Sequence, residues 1–191
     1  TYNFMDGING ITTLYSVVIL SCSLFILNYL EDSSFDFNII SYIGFFIAFA
    51  VFNFRHKALM FLGDSGSVSM GLFAAFLVVL IGMKLNSWSS IILLSVYGVD
   101  SVGTIVIRLI KRENILKAHR SHLYQDLVHI NGHNHLKVSV LYSIAQLFVN
   151  AGWMMLYKIG WIEFYAVIVL LLLAIVYYLM KKSIHGDLLF H

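Results

Sequence analysis

Residues 161–180 read WIEFYAVIVLLLLAIVYYLM, twenty positions with Glu163 as the lone charge. A helix needs about 20 residues to cross the hydrocarbon core of a bilayer, so this run is long enough to span it. Its apolar residues are continuous rather than alternating, which favours a helix over a barrel strand. Five similar runs precede it: Ile11 to Leu30, Ile39 to Phe54, Val68 to Met83, Trp88 to Ile110 and Val138 to Tyr157. The second and third are short for a span and must borrow flanking residues. The chain is 60% hydrophobic and 12% charged with mean hydropathy +0.85, beyond what a soluble globular domain reaches. The expected fold is therefore all-α: a polytopic integral membrane protein of about six transmembrane helices, forming one domain over residues 1–191. Its first residue is Thr and polar chemistry starts at Asn3, so the reading expects this domain to be the C-terminal part of a longer protein.

A net charge of +2 gives no argument for nucleic acid, but the placement of the charges is informative. With residue 1 in the cytoplasm, ten cations fall on inner loops and boundaries: Arg55, Lys57, Arg108, Lys111, Arg112, Lys117, Arg120, Lys137, Lys181 and Lys182. Only Lys84 and Lys158 fall outside. This bias predicts cytoplasmic termini and a cytoplasmic loop from Lys111 to Lys137. Three polar clusters then share one face: residues 3–10, 55–67 and 111–137. The lone Cys22 lies in an apolar run, so no disulfide framework exists.

The central cluster is Phe61-Leu62-Gly63-Asp64-Ser65-Gly66-Ser67. It reads as a polar turn before a helix starting near Val68, with Gly63 and Gly66 free to take positive φ and with Ser65 and Ser67 as caps. A helix N-terminus favours anions, so an anion carrying a hard cation held by Asp64 is the expected guest. The first cluster, Asn3-Phe4-Met5-Asp6-Gly7-Ile8-Asn9-Gly10, spaces Asn3, Asp6 and Asn9 by three, which would put them on one face of a helical turn. One carboxylate and two amides suit a cation, a phosphate or a sugar hydroxyl, and also suit an ordinary interfacial turn. In the third cluster His119 and His122 stand at i and i+3, with Arg120 offering a planar fork for phosphate. Zinc is a rival guest there, although no cysteine is near and cations are interleaved. A solvated basic loop drawn to lipid headgroups is another reading. Asp100 lies in the fourth run, roughly 12 Å below Arg108 at the helical rise, and reads as a brace for the bundle.

The sequence Gly63-Asp64-Ser65-Gly66 also resembles a serine-protease motif. All eight histidines lie outside the six apolar runs, so an intramembrane histidine base is lacking. Transport fits less well, because only Asp100 is clearly embedded.

The three motifs, in this order, resemble those of the polyprenyl-phosphate N-acetylhexosamine-1-phosphate transferases. Residues 3–10 are similar to that family's Asn-x-x-Asp-Gly-x-(Asp/Asn)-Gly loop, and residues 61–67 to its Gly-Asp-x-Gly-Ser loop. The stretch His119-Arg120-Ser121-His122-Leu123-Tyr124-Gln125 is similar to the surface-polysaccharide branch, whereas the muramoyl-pentapeptide branch of peptidoglycan synthesis, the alternative, usually carries a histidine triplet. The resemblance implies a multi-pass enzyme of the bacterial inner membrane with its active face in the cytoplasm. It implies transfer of N-acetylhexosamine-1-phosphate from a UDP-sugar to polyprenyl phosphate, with Mg²⁺ as cofactor and Mn²⁺ able to replace it. Membrane lipid is a further partner, and a homodimer is left open. Under the resemblance Asp64 and Asn3 hold the metal, Asp64 and Asp6 are catalytic, and Asn9, His119, Arg120 and His122 contact the substrate. The family's upstream loop with adjacent aspartates has no counterpart in this chain, so the resemblance implies a C-terminal portion that does not turn over alone; a catalytically silent relative is the other outcome.

Overall fold

The computed structural model describes residues 2–114 and 120–186. It is helical throughout, with no strand among the described residues. In chain order the helices are α1 (Tyr2–Met5), α2 (Ile11–Tyr29), α3 (Asp36–Asn53), α4 (Gly63–Leu85), a 3-10 segment (Trp88–Leu94), α5 (Ser95–Ile110), α6 (Leu123–His129), α7 (His135–Tyr157) and α8 (Ile162–His185). Six stretches are long and apolar enough to cross a membrane, one for each run in the sequence. The two short runs borrow as expected: α3 starts at Asp36 and α4 at Gly63, each with an acidic residue in its first turn. The fourth run opens as a 3-10 helix capped by the Ser87 side chain, which accepts from Ser89 N at 3.1 Å.

α2 is the central helix. It packs along α7 and α3, and residues such as Tyr15, Ile19 and Leu20 on it are fully enclosed. Several polar groups inside the bundle pair with one another, as a low-dielectric interior favours. The Tyr15 hydroxyl donates to Gln146 Oε1 at 2.5 Å, while Gln146 Nε2 donates to the Ile92 carbonyl at 2.8 Å and to Asn150 Oδ1 at 2.7 Å. The Tyr15 and Tyr97 rings stack with centroids 3.5 Å apart. This network fixes α2, α5 and α7 relative to one another.

Two expectations change. Residues 63–67 are the first turn of α4 itself, not a turn ahead of it. Gly63 takes a left-handed φ of 70°, and Asp64 in the first turn is stabilised by the unpaired N–H groups, worth roughly 0.3–1 kcal/mol. Gly66 is helical, and no side chain caps the helix. The loop from Lys111 to Lys137 contains the buried helix α6, which the loop's polar composition masks.

Candidate active site

One end of the bundle gathers α1, the turn after it, the start of α4 and α6. Asn3, Asp6 and Asn9 do not share a face there, because α1 ends at Met5 and the chain bends before α2. Asn3 is exposed, and its Oδ1 accepts from Ser67 Oγ at 2.7 Å, tying α1 to α4. Gly71, one turn further along α4, leaves room for the Tyr2 side chain. Small residues on α4 thus serve close packing.

Asn9 is buried and turned to the other side. Its Nδ2 donates to the carbonyls of Arg55 at 2.8 Å and His56 at 3.1 Å, and its own carbonyl accepts from Ser139 Oγ at 2.7 Å. Asn53, also buried, completes this clamp: its Oδ1 accepts from Gly10 N at 2.8 Å and Thr13 Oγ1 at 2.9 Å, and its Nδ2 donates to the Met60 carbonyl at 2.9 Å. These amides fix the start of α2 against the segment leading into α4.

Asp6 and Asp64 lie near enough for their charges to act on one another. Asp64 is exposed and Asp6 half-buried. Burial pushes the Asp6 carboxyl above its ordinary range, the Asp64 charge pushes the same way, and the Thr12 hydroxyl opposes both. Among the described residues neither carboxylate has a basic partner. Two neighbouring carboxylates without a cation are a ready site for one, and hard oxygen donors are what Mg²⁺ selects. Asp64 and Asp6 supply charge, while the Asn3 carbonyl retains one lone pair beside the Ser67 bond. No cluster of three or more His, Cys, Asp or Glu side chains fit for a metal occurs among the described residues, so water and phosphate oxygens would fill the remaining positions.

The third motif divides. His119 lies outside the described residues. Arg120 is exposed, and His122 is 2% exposed, with Nδ1 3.4 Å from Asp100 Oδ1 and its ring stacked between those of Phe4 and Tyr124. Asp100 is the brace its sequence position suggested: Oδ1 accepts from Leu123 N at 2.9 Å, and Oδ2 from Tyr124 N at 3.2 Å and the Tyr142 hydroxyl at 2.6 Å. In the first turn of α6, Asp126 accepts from Lys181 Nζ at 2.6 Å and His185 Nε2 at 2.7 Å. Three spans thus pin one short helix.

Tyr124, Gln125, Asp126 and Lys181 carry no assignment from sequence. Gln125, three residues after His122, was the one local signal: its Oε1 accepts from His122 N at 3.2 Å, half of a capping box. Beside the site, an apolar cavity of about 980 Å³ runs between α4, α5 and α8, with Tyr2, Asn3 and Val68 in its wall.

Residues 1–82 match the model of glycosyl transferase family 4. The match contains Asn3, Asp6, Asn9 and Asp64, and ends before Asp100 and the Arg120–His122 segment. It supports a transferase of phospho-sugars onto polyprenyl phosphate. No curated protein and no solved structure matches the chain.

Proposed function

We propose that the site serves transfer of N-acetylhexosamine-1-phosphate from a UDP-sugar to polyprenyl phosphate at the cytoplasmic face of a bacterial inner membrane. The observation that carries this reading is the Asp6–Asp64 pair, lacking a basic partner and set beside a long apolar cavity. A polar head held at the carboxylates and an apolar tail laid along α4, α5 and α8 describe a polyprenyl phosphate. In the reaction a phosphate oxygen of the lipid attacks the β-phosphorus of the UDP-sugar. The bond from that phosphorus to the bridging oxygen breaks, and UMP leaves with the oxygen and its charge. The products are polyprenyl-diphospho-N-acetylhexosamine and UMP.

Mg²⁺ bound at Asp64 and Asp6, with Asn3 as a further oxygen donor, would neutralise the diphosphate and the charge that develops on the leaving phosphate. The protein's own part is orientation. Ser67 holds Asn3, the Asn9–Asn53 clamp holds the approach to α4, and exposed Arg120 offers a fork to a phosphate oxygen. His122, buried against Asp100, orients its segment from below. The resemblance to the surface-polysaccharide branch supports UDP-N-acetylhexosamine as donor over a muramoyl-pentapeptide. The test is UMP release from UDP-N-acetylglucosamine or UDP-N-acetylgalactosamine in the presence of undecaprenyl phosphate. Residues 1–191 alone are expected to give none, and addition of an upstream part bearing adjacent aspartates is expected to give Mg²⁺-dependent release. Robust turnover by residues 1–191 would refute the assignment of an essential role to adjacent aspartates.

A further inference from the structure

α6 packs against the residue 4–7 half of the site without contributing a ligand to it. Its N-terminal N–H groups, at Leu123 and Tyr124, are received by Asp100 from within the membrane bundle. Its opposite face carries Tyr124, whose hydroxyl donates to the Phe4 carbonyl at 2.9 Å. Burial pushes the Tyr124 phenol up, so it remains a proton donor at neutral pH. The turn at residues 4–7 rests directly on this face: a Cβ at Gly7 would collide with the Tyr124 hydroxyl and lie 2.9 Å from Gln125 Nε2. The Phe4 ring stacks on His122, centroids 6.3 Å apart. Asp6 sits inside that turn, and its electrostatic neighbour is Asp64.

From these contacts we propose that Tyr124 is a positioning residue: α6, seated on Asp100, sets the place of Asp6 beside Asp64. The inference rests on the reading of Asp6 and Asp64 as a divalent-cation centre. Its chain of contacts runs from Asp100 to the α6 N-terminus, from Tyr124 to Phe4 and Gly7, and so to Asp6. Tyr124 makes no hydrogen bond to the Asp6 or Asp64 carboxylate. It acts by fixing the backbone that carries one of them.

The test uses residues 1–191 in nanodiscs, with Mn²⁺ titrated by electron paramagnetic resonance and backbone exchange followed by mass spectrometry. Tyr124→Phe removes one oxygen and keeps the ring, so the fold is retained. It should weaken Mn²⁺ binding about fivefold, the loss of roughly one hydrogen bond, and speed exchange in residues 5–8 while α2 and α7 exchange as before. In an Asp6→Asn background the same change should alter Mn²⁺ affinity by less than about twofold, because the group being positioned is gone. Parental Mn²⁺ affinity together with parental exchange in Tyr124→Phe would overturn the proposal. So would an undiminished loss in the Asp6→Asn background, which would mark a general effect on the fold. If the parent binds no Mn²⁺, the cation-centre reading falls, and exchange alone decides the coupling: unchanged rates at residues 5–8 refute it, and raised rates uphold it.

Discussion

Lys181→Met should loosen α6 from α8 and expose how strongly this helix is held. The Lys181 ammonium and the Asp126 carboxylate lie 2.6 Å apart, with side chains only 4% and 5% exposed. Lys181 Nζ also donates to the Ser121 carbonyl at 2.5 Å. Removing one partner of a buried ion pair costs about 3–5 kcal/mol, because the other charge stays buried without compensation. His185 still reaches the same carboxylate oxygen at 2.7 Å, so the lower end, about 3 kcal/mol, is expected. Hydrogen exchange at the α6 amides reads this directly: a local opening made easier by that amount speeds exchange about 10²-fold. The double variant Asp126→Asn with Lys181→Met should recover most of the loss, since no bare charge remains. A single variant within about 0.5 kcal/mol of the parent, or a double variant no better than the single, would refute the reasoning.

Asp6→Asn should stabilise the metal-free protein at neutral pH. A carboxyl whose folded pKa is raised destabilises the fold once it ionises, so the penalty is absent below about 4 and grows as pH rises through the raised folded value. Unfolding in detergent across that window should show a fall in parental stability with pH that the variant lacks. Topology is checked by a cysteine at exposed His133 in a Cys22→Ser background: labelling by an impermeant reagent is expected only after the inner face is opened, and labelling of intact cells would invert the orientation.

The spans were legible because a bilayer forces each backbone group to pair within its own helix, and apolar runs of sufficient length follow. Asp100 was legible as a brace because a carboxylate inside a span needs partners. What it braces was not, since its donors include the main-chain N–H groups of Leu123 and Tyr124, which have no side-chain signature. For the same reason α6 was hidden: its anchor Lys181 lies 55 residues from Asp126. At the site, Asp6 and Asp64 stand out by residue type. The inward turn of Asn9 depends on two carbonyls, of Arg55 and His56, and the burial of His122 on the rings of Phe4 and Tyr124. Such tertiary contacts do not follow from local spacing. The helical start at Gly63 was missed because glycine and serine around an aspartate suit a turn and a first helical turn alike.

The most direct test is the rate of UMP release by an active chain containing residues 1–191, compared between Asp64→Asn and Ser65→Ala. Asp64→Asn keeps size and removes the charge a cation needs. Activity should fall on the order of 10²-fold or more, about 2.7 kcal/mol of transition-state stabilisation, with loss of the parental Mg²⁺ dependence. Ser65 is exposed on the first turn of α4 and caps nothing, so Ser65→Ala should turn over at close to the parental rate. Near-parental turnover and Mg²⁺ dependence in Asp64→Asn, with activity abolished in Ser65→Ala, would contradict the account and move the chemistry to the serine.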